Sequence, residues 1–431
     1  MSRTCAPAWC SRRSRARPGC RWTCRGPGPS PRVAPGRADR VGAASWLSLA
    51  VFAATAWQLV ALWRGLPQVP QLRDLPAAAD GDLPAVSVVV SARDEAGTIE
   101  AALRSLLAQD VPRLEIVAID DRSADGTGAI LDRLAQADAR LRVLHVRELP
   151  DGWLGKTHAL HLGAQAATGD YLLFTDADVH FAPQALRRAL ACCIARRLDH
   201  LVVVADLTVR QPLLAALLLE MLAAFCATLP PWKVATSRRV YAGVGAFNLV
   251  RAAPYRRLGG HAALRLEVID DMELGRLLKQ AGLRQDLLFG REAVLLEWYA
   301  DAAQLARGLE KNSFASVGYS VARAAAATLL VLVLHAWPLA ALVVTSGPGR
   351  WLNLGSVACS LLLRVRLLRT TAWHARCLLW WPLAPLVLLG VLWRSVLVTL
   401  RRGGVVWRGT RYPLAQLRAA RAARRRPVSG P

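Results

Sequence analysis

The chain has 431 residues, 54% of them apolar, and a formal net charge of +24; its mean hydropathy is +0.27. That length admits one large catalytic domain with added segments, and the hydropathy, concentrated in a few uncharged stretches, excludes an ordinary soluble enzyme. The charge implies no nucleic acid, because ten Arg in residues 1–41 and nine in residues 401–431 supply most of it without an aromatic-interleaved binding module.

Residues 1–41 are rich in Arg, Pro, Gly, Ser and Cys and lack hydrophobic periodicity, so a disordered basic tail is expected. The alternative is a later translational start, for example at Val33 or Val41. Four of the nine Cys stand at positions 5, 10, 20 and 24. That spacing fits neither a zinc knuckle nor a redox pair, so no structural disulfide and no zinc are expected. The other five are read as small buried hydrophobes. Residues 44–63 carry no charge and are long enough for a transmembrane helix. A linker bearing Pro and Asp follows at 65–84.

From 84 to 300 strand and helix patterns alternate. Strands are expected at 86–90, 114–119, 141–146 and 171–174. Helices are expected after a Thr98 cap, near 129–137, and from about 157 to 167; in the first, Ile99, Leu103, Leu106 and Leu107 share one face. Such alternation predicts an α/β fold with a mostly parallel sheet covered on both faces. Ligands of open parallel sheets bind beyond the carboxyl ends of the strands. Three of these strands run into acid there: Asp94-Glu95, Asp120-Asp121, and Asp176-Ala177-Asp178. A pocket so acidic needs a cation, and a metal-bound diphosphate supplies the matching charge. Residues 212–229 are apolar except for Glu220. A crossing there would separate Asp176 and Asp178 from Asp271, so a helix in the interface or against the domain is expected.

The stretches VSVVVSARDEAGTIEAALRSLLAQ (86–109), IDDRSADGT (119–127), GWLGKTHAL (152–160), FTDAD (174–178), Gly259-Gly260-His261, VIDDMELG (268–275) and Lys311-Asn312 occur in one order over more than 200 residues. With them, residues 85 to about 320 resemble a family-2 inverting glycosyltransferase of GT-A fold, a Rossmann-like nucleotide-diphospho-sugar transferase domain. The resemblance is strongest to the membrane-bound branch that glycosylates lipids, including hopanoid- and carotenoid-associated transferases. It implies that Asp178 ligates Mg²⁺ or Mn²⁺ at the diphosphate, with Asp176 beside it near the ribose. It implies Asp120 and Asp121 at the base and ribose, Asp94 and Glu95 at the first strand end, and Lys156 at the diphosphate. Asp270-Asp271 stand where the family has a Glu-Asp pair, whose second member is the general base; that role passes to Asp271. Gly259 and Gly260 would allow close backbone approach beneath the donor sugar, and Lys311 matches the lipid-modifying branch. Gln304-x-x-Arg307 resembles a signature of processive polysaccharide synthases, but Gly308 replaces its Trp, which implies addition of one sugar or a few.

Residues 301–322 are expected to form an interfacial helix, residues 324–400 a transmembrane region, and residues 401–431 a basic cytoplasmic tail. Two crossings, at 324–346 and 377–400, would return the chain to the side it left, with 351–363 re-entrant or in-plane. The protein is thus expected in the plasma (inner) membrane as a multi-pass protein with its catalytic domain cytoplasmic, where nucleotide sugars are made. Its partners would be a UDP- or GDP-type donor, a membrane lipid acceptor and the bilayer. A nucleotidyltransferase is the alternative from another enzyme class, but Ser91-Ala-Arg-Asp-Glu95 is not a Gly-rich phosphate loop. An inactive membrane scaffold binding nucleotide sugar is the non-enzymatic alternative.

Overall fold

The computed structural model describes residues 43–77 and 83–425, so the expected tail at 1–41 and its alternative starts lie outside the described residues. After helix α1 (Ala43–Gly65) come β1 (Val86–Ala92), α2 (Ile99–Leu107), β2 (Leu114–Asp121), α3 (Thr127–Ala137), β3 (Leu141–Val146), α4 (Gly155–Ala166), β4 (Tyr171–Asp176), β5 (Val179–Phe181), α5 (Ala185–Arg196) and β6 (His200–Leu207). Helix α6 (Pro212–Thr228) leads on to β7 (Asn248–Arg251), α7 (Ala252–Arg257), α8 (Asp270–Gln280) and β8 (Gln285–Leu296). The strands form one sheet in the order β3-β2-β1-β4-β7-β6-β8-β5. β3, β2, β1 and β4 run parallel, and β7 inserts antiparallel between β4 and β6.

Alternation along the strands explains why the sheet is covered on both faces. Val88 and Val90 of β1 join Ile116 and Ala118 of β2 in a cluster with Ile99, Leu103 and Leu106 of α2 and Leu186 and Leu190 of α5. Val89, Val117 and Ile119, one residue out of phase, join Leu160 of α4 and Leu274 and Leu278 of α8 on the other face. Successive strand residues point to opposite faces, so an unbroken apolar run must be buried twice. Each fully buried Val, Leu or Ile contributes about 1.5–3 kcal/mol. The strands extend past the expected ends, so that Asp120, Asp121 and Asp176 belong to them. Thr98 precedes α2, but its hydroxyl bonds to Glu95 and caps nothing.

The chain continues through α9 (Ala302–Ser316), α10 (Val321–Val331), a π-helical turn at Leu332–Ala336, α11 (Trp337–Val344), α12 (Pro348–Leu368), α13 (Ala384–Arg401), β9 (Gly404–Trp407), β10 (Thr410–Pro413) and α14 (Leu414–Arg425). Five segments are long and apolar enough to cross a membrane: Ala44–Gln68, Pro212–Lys233, Val321–Val344, Pro348–Leu368 and Ala384–Arg401. Three of them lead away from the sheet. α1 and α12 run parallel, with Asn353 donating to the Ser48 hydroxyl near their N-terminal ends and Arg366 over the Trp63 ring near their C-terminal ends. Thr345, just after α11, meets Asn353 at that first end. The chain after α12 comes back to the sheet, where Trp373 donates to the Leu207 carbonyl at 2.7 Å.

The other two lie along the domain. α6 joins β6 to β7, which pair in one sheet, so it makes no net crossing, as expected. α13 packs its start into the cluster of Leu214, Leu305 and Leu367, and its Ser395 hydroxyl accepts from the Phe314 amide in α9 at 3.0 Å. Helix α12 is therefore continuous and long enough to span, where a short re-entrant or in-plane segment at 351–363 was expected, while α13 covers most of the crossing expected at 377–400. Arg364 misled the sequence reading by appearing to end the apolar run. It is 2% exposed and forms a two-bond ion pair with Glu220 of α6, one contact at 2.6 Å, so the helix runs on to Leu368. The basic tail expected from 401 also differs: residues 404–425 form a hairpin and a helix, with Val405, Tyr412 and Leu417 buried against Leu154 and Phe314.

Candidate active site

The N-termini of α4 and α8 meet the carboxyl end of β4. Lys156, Asp176, Asp270 and Asp271 line one small cavity there, with Asn248, Gly245 and His261. Lys156 Nζ donates to Asp176 Oδ1 at 2.6 Å. Burial opposes the Lys156 charge, but Asp176, Asp270 and Asp271 outweigh it and hold its pKa above the ordinary lysine value. Burial also opposes ionisation of Asp270, yet Lys156 and a hydrogen bond from His261 keep it below the usual carboxylate range. Asp271 behaves oppositely: burial and repulsion from Asp270 push it up to about 7, although the Met272 amide donates to its Oδ1 at 2.7 Å. Two adjacent carboxyls driven apart in this way divide into a fixed anion and a group poised to take a proton.

Two glycines the sequence reading passed over set this geometry. A Cβ on Gly245 would stand 2.5 Å from the Asp176 carboxylate, and one on Gly243 would stand 1.9 Å from the Asp271 carbonyl. The Gly-Val-Gly run just before a strand was the available signal. Gly259 and Gly260, expected beneath the donor sugar, do not line the cavity. Gly260 instead has φ +48° and lies against the Tyr255 ring, 2.3 Å from where its Cβ would be; Tyr255 and His261 share a 2.7 Å hydrogen bond. Gly260 is thus required by the packed Tyr255 ring, and Gly259 by its φ of +79°.

The other acidic pairs do not line this cavity but stand at the neighbouring strand ends. Gly155, at the start of α4, faces Asp121, whose carboxylate would lie 2.3 Å from a Cβ there. Arg122 already grips Asp121 at 2.7 and 3.0 Å, and Asp120 meets His145 at 3.1 Å. Asp94, at φ 54°, accepts from the Ala124 amide at 2.8 Å. Asp178 has no ion-pair partner among the described residues, and burial, with repulsion from Asp176 and Glu95, pushes it up to about 7.

Among the described residues no three His, Cys, Asp or Glu side chains converge on one ion position. Magnesium-type ions are commonly held by one or two carboxylates and substrate phosphates in place of an all-protein cage. Asp178, half-buried beside Asp176 and without an ion-pair partner among the described residues, fits that kind of donor set.

The segments after β8 give new roles to residues the motifs named and add Tyr299, Trp407, Arg408 and Tyr412. Gln304 is a capping residue: its side chain accepts from the Ala300 amide and its own amide donates to Asp301 at 2.7 Å, a reciprocal capping arrangement. Gly308 leaves room for the Tyr299 ring, 2.5 Å from where a Cβ would be. Burial and the nearby Asp176 and Asp178 push the Tyr299 hydroxyl up to about 12. Lys311 lies over the Trp407 ring at 3.6 Å, and burial lowers it to about 8. Arg408, at the hairpin tip, pairs with Glu95, and the Gly155 amide donates to the Tyr412 hydroxyl at 3.3 Å. The C-terminal hairpin thus flanks the cleft.

Residues 87–211 match the family model described as Glycosyl transferase family 2. They form a glycosyl transferase family 2 domain. A β-monoglucosyldiacylglycerol synthase of Synechocystis is 31% identical over 153 residues, 34% of this chain and 30% of that protein. A 4,4'-diaponeurosporenoate glycosyltransferase of Staphylococcus haemolyticus is 32% identical over 114 residues, 26% of this chain and 29% of its own. The chain thus matches under a third of the length of these curated relatives. A mannosyltransferase of Pyrobaculum calidifontis, solved with GDP-Man and Mn²⁺, superposes with a TM-score of 0.53 over 83% of this chain and 99% of its own, at 20% identity. That likeness shows the GT-A fold. The family 2 stretch holds Asp94, Glu95, Asp120, Asp121, Lys156, Asp176 and Asp178; Asp270 and Asp271 lie beyond it and join only through the fold.

Proposed function

We propose that the protein is a metal-dependent, inverting glycosyltransferase that moves one sugar from a UDP- or GDP-type donor to a membrane lipid. The observation that carries this reading is the convergence of Lys156, Asp176, Asp270 and Asp271 in one cavity at the carboxyl edge of the sheet. Inversion needs a single in-line displacement, hence a base on the acceptor side and no enzyme nucleophile. Asp271 takes the acceptor proton, helped by a pKa near 7 that keeps it both basic and available. Asp270 stays ionised and opposes the approach of a second anion, and Lys156 offers its charge to the departing diphosphate. Asp176 and Asp178 would hold Mg²⁺ or Mn²⁺, which when bound neutralises charge developing on the leaving diphosphate.

The lipophilic acceptors in the names of the Synechocystis and Staphylococcus relatives support a lipid acceptor. So do the helices α6, α9 and α13 beside the domain, which expose Leu386, Leu397 and Leu400 of α13. In this reading α1, the α10–α11 pair and α12 cross the bilayer, and the catalytic domain faces the cytoplasm. The Tyr299 ring in the space left by Gly308 supports a non-processive enzyme. The test is to incubate membranes containing the protein with labelled UDP- and GDP-sugars, with and without EDTA, and to extract the lipid. Label in the lipid phase that EDTA abolishes is expected. Metal-independent labelling, or none with any donor, overturns the reading.

A further inference from the structure

A second cavity, of about 600 Å³, opens at the other end of α9. It lies where α9 turns into α10, the start of the apolar segment Val321–Val344, and it shares no residue with the catalytic cavity. Its lining is Gly318, Tyr319, Ser320 and Val321 from the turn, Arg323 from α10, and Arg418, Arg421 and Ala422 from α14. No acidic side chain lines it. None of the three guanidiniums pairs with a carboxylate among the described residues; the nearby Glu267 is already taken by Arg424.

The three cations are crowded. A Cβ placed on Gly318 would lie 2.8 Å from Arg323 Nη1 and 3.3 Å from Arg421 Nε, so two like charges meet over one stretch of backbone. Part of this is helix capping: Arg418 donates to the Tyr319 carbonyl at 2.8 Å, and Arg421 to the Ala315 carbonyl at 2.6 Å. Positive charge suits the C-terminal end of α9. Capping uses one N–H of each, however, and leaves Arg323 unexplained. The Arg421 Nε and the Tyr319 hydroxyl are buried without a hydrogen-bond partner, and Tyr319 is 3% exposed. Guanidiniums recognise phosphate oxygens through paired N–H groups, and the amides at the start of α10 face an anion favourably. The volume falls within the roughly 300–1,000 Å³ of small-molecule sites.

We infer that Arg323, Arg418 and Arg421 form a phosphate-binding site at the membrane boundary, and that its occupant is the phosphate head of an anionic lipid. The inference rests on the membrane placement proposed above. A lipid phosphate is favoured over free phosphate because the cavity opens where an apolar helix begins, with Val321 exposed; basic pockets at such positions hold anionic headgroups.

The test uses the full-length protein in neutral detergent, supplied with phosphatidylglycerol or phosphatidylcholine and read by native mass spectrometry. One phosphatidylglycerol retained in preference to phosphatidylcholine is expected. Arg323→Gln with Arg421→Gln should reduce that retention about tenfold or more. Arg323→Gln alone, which removes no hydrogen bond made by the guanidinium, should reduce it in part, and Arg323→Lys should restore some of it. Binding of labelled donor, measured on the same samples, reports folding and the catalytic site independently. A separate arm adds inorganic phosphate to lipid-free protein. Thermal stabilisation by phosphate, lost in the double variant and without lipid retention, keeps the anion site and overturns the lipid as its occupant. Equal retention of both lipids with no effect of phosphate, or equal retention by wild type and variants, overturns the site itself.

Discussion

Two buried charge clusters, one in the catalytic cleft and one between α6 and α12, differ in a single respect that explains their roles. Glu220 and Arg364 are balanced. One carboxylate meets one guanidinium through two hydrogen bonds, and Arg364 Nη1 is further held by the Ser360 carbonyl and hydroxyl. In the cleft Lys156 faces three carboxylates, Asp176, Asp270 and Asp271, with only His261 at Asp270 and the more distant Lys311 beside it among the described residues. A balanced pair has nothing left to do except hold two helices together, whereas a surplus of negative charge is met only by protons, cations or substrate. Buried charge alone therefore does not mark a site; its imbalance does.

The comparison can be broken from either side. The largest expected effect is in the cleft: Asp271→Asn should lower kcat by about 10²–10⁴-fold while donor affinity, measured by calorimetry, changes by no more than a few fold. Next, Glu220→Ala strands a buried guanidinium and should cost about 3–5 kcal/mol of stability, seen as a lower melting temperature in detergent. The double change Glu220→Leu with Arg364→Met should recover most of that loss, because it removes both charges together. If the double variant is as unstable as the single one, the pair is more than a fastening.

A third prediction concerns pH. Asp271 must be ionised to accept a proton, and its pKa is raised to about 7. Below that value kcat/KM should fall by about tenfold per pH unit, and it should level off above it. The same limb should vanish from the residual activity of Asp271→Asn. The smallest effect is expected at the rim. Arg408 is 42% exposed where it pairs with Glu95, so Arg408→Ala should raise the donor KM by no more than about fivefold, in line with the roughly 0.2–1 kcal/mol of exposed ion pairs.

Much of the catalytic half was legible in the sequence, because unbroken Val, Ile and Leu runs ending in acid leave few options for β1, β2 and β4. Asp176 and Asp271 are nearly a hundred residues apart, and only a sheet that carries β4 beside β7 joins them. What could not be read depended on partners distant in the chain. Arg364 looked like a helix end until Glu220 was beside it. Gln304 looked like part of a synthase signature until its bond to the Ala300 amide made it a cap. The hairpin at 404–413 was hidden by its Arg-rich surroundings, since its fold depends on burying Val405 and Tyr412 against Leu154 and Phe314.

That hairpin has a consequence for biogenesis. Glu95 and Gly155 are synthesised early, but their partners Arg408 and Tyr412 leave the ribosome only after every long apolar helix has been made. The rim of the cleft is therefore finished last, once α12 has brought the polypeptide back. In the membrane reading proposed above, a nascent chain still inserting its last helices carries an unfinished cleft.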